Sequence, residues 1–138
     1  MSEPPEVLRK IRQWVEKAEH DFTTAEYLLT LLEGCPFDTV CFHAQQCAEK
    51  YLKGFLTFRS VDFPKTHDLV VLLNLAGGPK ALGIELLDVE PLNRYPVEAR
   101  YPGDWESFTR EEAEEAVKLA RKVRGAVRKQ LPAAALNE

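Results

Sequence analysis

The sequence predicts an all-α protein, an antiparallel up-and-down bundle of four or five helices. Three observations predict it. Apolar residues recur at spacings of three and four over long stretches, and no stretch alternates as a strand does. Prolines, glycines and capping residues punctuate these stretches where helices start and stop. A short connection joins the first two stretches, which places neighbouring helices antiparallel.

Pro4 and Pro5 suit the first turn of a helix, where a missing N–H costs nothing. Val7, Leu8, Ile11, Trp14, Val15, Ala18, Phe22, Ala25, Leu28, Leu29 and Leu32 then form one long apolar stripe, stopped by Gly34 and Pro36. A second helix is expected from about Phe37 to Phe58. Its apolar face is Val40, Cys41, Ala44, Cys47, Ala48, Tyr51, Leu52 and Phe55. After the loop RSVDFPKT, Thr66 is the expected N-cap of a short helix, with Asp68 in its first turn, and Gly77 and Gly78 end it. Residues 79–93 have room for one or two short helices. RYPVEARYPGDWESF reads as an ordered loop. Thr109 and Glu112 make the capping-box pattern of a last helix, striped by Ala113, Ala116, Val117, Ala120, Val123 and Val127. Pro132 stops it, and PAAALNE is expected to fray.

The 138 residues suit one domain spanning 1–138, with its core at about 6–131 and a tail at 132–138. A net charge of −4 argues against a bulk electrostatic grip on nucleic acid and leaves room for a local basic patch. No apolar run approaches the roughly 18–20 residues of a membrane span. The N-terminus lacks the apolar core of a secretory signal. Three cysteines without framework spacing point to a reducing, cytoplasmic location. Cys35, Cys41, His43 and Cys47 contain no C-x-x-C pair, so no metal site is expected. No phosphate loop, dinucleotide fingerprint or hydrolase motif is present, and no cofactor is expected.

The segment FHAQQCAEKYLKGFL carries the most informative polar residues. His43, Gln46, Lys50 and Lys53 gather on one side of the second helix, either as a ligand cleft or as an ordinary solvated face. Gln45 and Glu49 are placed on the opposite flank of the apolar face. Lys65, Thr66 and His67 sit at a helix start, where free amides favour anions. Arg94, Tyr95, Arg100, Tyr101 and Trp105 combine phosphate-binding and base-stacking side chains, or else pin a loop to the bundle.

Together these residues resemble the HEPN domain family, named for nucleotide binding in higher eukaryotes and prokaryotes. Trp14, Ala18, Asp21 and Ala25 fit its first helix, FHAQQCAEKYLKGFL its most typical segment, KTHDL the start of its next helix, and RYP the stretch before its last. The resemblance runs over about residues 8–128 and implies a helical bundle, commonly dimeric. It also implies a partner, a small nucleotidyltransferase, in toxin–antitoxin or defence modules. Some members are metal-independent ribonucleases carrying R-x(4–6)-H. Here seven residues separate Arg12 from His20, and seven separate Arg59 from His67, so the motif is absent and no catalytic residue is assigned. The expected function is therefore non-catalytic binding of nucleotide or RNA by a homodimer. The expected ligand-binding set is His43, Gln46, Lys50, Lys53, Lys65, His67, Arg94 and Tyr95. The alternatives are a ribonuclease with a non-standard site and a pure protein-interaction module.

Overall fold

The computed structural model describes residues 3–95 and 107–136. It contains α1 (Pro5–Leu29), α2 (Phe37–Phe58), α3 (Leu69–Leu75), α4 (Pro79–Leu82), α5 (Leu86–Val89) and α6 (Arg110–Gln130). Short 3-10 turns follow α5 and α6, at Glu90–Arg94 and Ala133–Leu136. There is no strand among the described residues.

The central helix is α2. Thirteen of its 22 residues are buried, so it is covered on most of its circumference rather than on one stripe. It packs chiefly against α1 and α6, with α3 closing a third side. Tyr51, Leu52, Phe55 and Leu56 are fully buried in one core with Ile11 of α1, Leu69 and Leu72 of α3 and Val123 of α6. At Gly54 the two longest helices come very close. A Cβ built there would lie 3.1 Å from the Cβ of Trp14, so the absence of a side chain sets the approach.

The helix ends explain the boundaries. α1 stops at Leu29, short of the expected Gly34. The freed carbonyls of Leu29 and Leu31 accept hydrogen bonds from the Arg110 guanidinium at 3.2 and 2.7 Å. That guanidinium also lies over the Phe37 ring, 5.2 Å from its centroid. A side chain of α6 thus supplies the polar partners that would otherwise be missing at the end of α1.

The cap of α3 is Asp68, not Thr66. The Asp68 carboxylate accepts from the amides of Val70 and Val71 at 2.9 and 3.3 Å, and from the Asn93 side chain at 2.9 Å. The Thr66 hydroxyl instead accepts from the Asp68 amide at 3.1 Å, forming a turn one step earlier. The capping box of Thr109 and Glu112 is present at α6. The tail does not fray over its described part. Leu131 and Ala135 are buried, and Arg12 Nε donates to the Ala134 carbonyl at 2.7 Å. Most of the proline-rich loop expected after Arg94, including Arg100, Tyr101 and Trp105, lies outside the described residues.

Candidate functional site: two carboxylate clusters on the polar arc of α2

The polar side chains of α2 are organised by two buried carboxylates. Asp21 of α1, 7% exposed, accepts from His43 Nδ1 at 2.7 Å and from Lys50 Nζ at 2.6 Å. Glu49 of α2, 3% exposed, accepts from Lys53 Nζ at 2.9 Å, His67 Nδ1 at 2.9 Å, Gln45 Nε2 at 3.2 Å and Gln46 Nε2 at 3.4 Å. Gln45 Nε2 also donates to the His67 carbonyl at 3.0 Å, and Gln46 Nε2 to Gln45 Oε1 at 2.7 Å. The first cluster joins α1 to α2. The second joins α2 to the loop before α3.

Gln45 flanks the apolar face on the side away from His43, and hydrogen bonds link it and Glu49 to the stripe through Gln46 and Lys53. At about 100° per residue, positions 45, 49, 53, 46, 50 and 43 follow one another around the helix as one polar arc. Gln45 and Glu49 are its most buried part. His67 of this chain covers them: its carbonyl accepts from Gln45 and its ring meets Glu49.

The electrostatics follow from burial. Burial alone would raise the Glu49 carboxyl, but the hydrogen bonds from Lys53 and His67 outweigh it and hold the group below its ordinary value of 4.5. Lys53 has little freedom left. Its ammonium also lies 5.8 Å from the Trp14 ring centroid and 5.9 Å from that of Phe63. A third cluster ties the back of the bundle together. Arg124 forks onto Glu19 at 2.7 and 2.8 Å, and the Tyr51 hydroxyl donates to the same carboxylate. Arg128 Nη1 donates to Tyr51 Oη at 3.2 Å.

The expected ligand set is therefore split. His43 and Lys50 meet on Asp21, while Gln46, Lys53 and His67 meet on Glu49. Lys65 is exposed in the loop before α3. Arg94 is exposed, 5.8 Å from the Tyr95 ring. Tyr95 itself is 4% exposed and packs edge-on against Phe108, with ring centroids 5.1 Å apart. Burial pushes its phenol up to about 12. Its ring belongs to the core, with no open face for a base. Burial also raises the thiols of Cys41 and Cys47, the former to about 11, which makes both poor nucleophiles. No group of three or more metal-ligating side chains occurs among the described residues.

Asp21 is the organising residue that the reading of the polar stripe leaves out. Its signal is present in the sequence: it sits between Ala18 and Ala25 at helical spacing, an acid at the margin of an apolar stripe.

A model of the HEPN domain matches residues 11–130. The chain belongs to the HEPN family. Two solved structures share the HEPN fold seen here. One is TT1696 from Thermus thermophilus, 33% identical with a TM-score of 0.70, where the match covers 88% of this chain and 98% of that one. The other is ST0689, an archaeal HEPN homologue, 27% identical with a TM-score of 0.69, covering 87% of this chain and 96% of that one. No curated protein matches the chain. Among the described residues, no helix of this HEPN domain is long and apolar enough to cross a membrane.

Proposed function

We propose that this HEPN domain binds nucleotide or RNA without cleaving it, as a homodimer acting beside a small nucleotidyltransferase in a toxin–antitoxin or defence-type pair. The observation that supports binding is the rim of the two clusters, where half-buried His43 and Lys50 of α2 and exposed Lys65 and His67 of the loop before α3 reach the surface. Two facts support a non-catalytic role. Neither histidine pairs with an arginine among the described residues, and Lys50 and Lys53 are already neutralised by buried carboxylates. Phosphate contact then falls to the exposed groups Lys65, His67 and Arg94. The test is a thermal-shift titration with ATP, GTP and a short RNA, with and without magnesium. A saturable stabilisation that Lys65→Ala/Arg94→Ala removes supports the reading. No stabilisation by any of the three overturns it.

One observation favours a second reading, a metal-independent ribonuclease. His43 and His67 each place Nδ1 on a buried carboxylate, which leaves Nε2 to exchange a proton with a ligand. Cleavage of RNA in chelator, lost in both His43→Ala and His67→Ala, selects this reading. Intact RNA after prolonged incubation removes it.

A further inference from the structure

The strongest feature outside the polar arc is a groove on α1. Lys10, Gln13, Trp14 and Lys17 line an open hollow of about 350 Å³. That is within the roughly 300–1,000 Å³ range of small-ligand sites. The four residues stand at i, i+3, i+4 and i+7, so they share one helix face.

Three properties set this groove apart. First, neither lysine has a hydrogen bond or ion pair among the described residues, in contrast to Lys50 and Lys53. Glu6, one turn before Lys10, and Glu16, beside Lys17, are exposed and do not pair with them. Second, Trp14 is held in place: its Cβ abuts Gly54, its ring meets Phe63 edge-on at 6.2 Å, and Lys53 lies over it. A pinned indole at a groove wall loses little freedom when a flat ring stacks on it. Third, the lysines lie about 10 Å apart along the axis, at 1.5 Å per residue, one on each side of the indole. A second hollow, lined by Asp88, Glu115, Lys118, Leu119, Arg121 and Lys122, is unlike it. There Lys122 is paired with Asp88, and Arg121 with Glu26.

Stacking aromatic, amide and flanking free cations are the parts that hold a base with phosphates on both sides. We infer that this groove binds one nucleotide of a single-stranded RNA, its base against Trp14, its edge toward Gln13 and its flanking phosphates on Lys10 and Lys17. An open groove with two separated cations suits a continuing strand better than a free mononucleotide, which carries its phosphates at one end. The inference rests on the RNA-binding reading above and adds to it a site that none of the eight expected residues occupies.

The test uses the full chain with Trp105→Phe, leaving Trp14 as the sole tryptophan. Its emission is titrated with decauridylate, while anisotropy of the same labelled RNA reports total binding. Saturable quenching that follows the anisotropy is expected. Lys10→Ala/Lys17→Ala, two exposed positions that leave the core untouched, is expected to weaken binding at least tenfold. It should also lower the slope of log affinity against log salt by about 1.4, at about 0.7 per phosphate. Trp14→Phe is expected to retain part of the affinity. RNA binding with unchanged Trp14 emission and no effect of the double variant overturns the groove and leaves the RNA reading standing. No anisotropy change overturns both. Uridine monophosphate quenching with the affinity of decauridylate overturns the assignment to a strand.

Discussion

Glu49→Gln isolates charge from shape at the most buried carboxylate of the polar arc. The amide fills the same space and can still accept hydrogen bonds from Gln45 and His67. What it loses is the charge facing Lys53, whose side chain is only 10% exposed. Removing one partner of a buried ion pair costs about 3–5 kcal/mol. Lys53 keeps its contacts with Trp14 and Phe63, worth about 0.5–2 kcal/mol as cation–π interactions, so the lower end is expected. A loss of about 3 kcal/mol at pH 7 should lower the urea midpoint by roughly 1–3 M, since m is about 1–3 kcal/mol/M. The assay is urea unfolding followed by helical circular dichroism. The pH dependence supplies a second check. The Glu49 carboxyl lies below 4.5 in the folded protein, so the unfolded chain takes up its proton first as pH falls. The stability it contributes is present above about 4.5 and is lost as pH drops through the folded value. The gap between wild type and Glu49→Gln should therefore narrow below pH 4.5. A loss under 1 kcal/mol at pH 7, or a gap that stays constant from pH 7 to pH 3, refutes the reasoning.

Three further outcomes are expected. Gly54→Ala gains about 1 kcal/mol of helix propensity but places a Cβ 3.1 Å from Trp14, with overpacking worth about 1–3 kcal/mol, so net destabilisation of about 1 kcal/mol should appear in thermal unfolding. A thiol reagent at pH 8 should titrate Cys35 quickly in native protein, and Cys41 and Cys47 only after denaturant is added; three fast thiols would contradict their burial. Thr109→Ala removes a hydroxyl that accepts from the Glu112 amide at 3.1 Å, and a drop of about 1 kcal/mol in equilibrium unfolding is expected.

What can be read from the sequence is what depends on local spacing. The limits of α2 are expected at about Phe37 and Phe58 and lie there, because its periodicity and flanking prolines are local signals. The Thr109 capping box is another signal of that kind. Local pattern misplaces the cap of α3 by two residues, because Asp68 is held there by Asn93, 25 positions away, which no neighbouring residue announces. The docked tail depends on Arg12, and the early end of α1 is capped by Arg110, both distant in sequence. The candidate site follows the same rule. Its residue types can be read in α2, but the partition into two clusters depends on Asp21 and on the loop carrying His67. Tyr95 looks like a stacking residue by composition, and only its packing against Phe108 shows which way its ring faces.

The hydrogen bond from Arg12 to Ala134 holds the last described turn against the first half of α1. Two segments of one chain that lie side by side can be spliced. A short flexible linker joining them would allow new ends to be opened at an exposed connection, such as the one around Gly77, without separating α1 from α6. The same contact means that probes placed on the first half of α1 and on the last described turn would be held close together, which makes this bundle a compact bracket for proximity reporters.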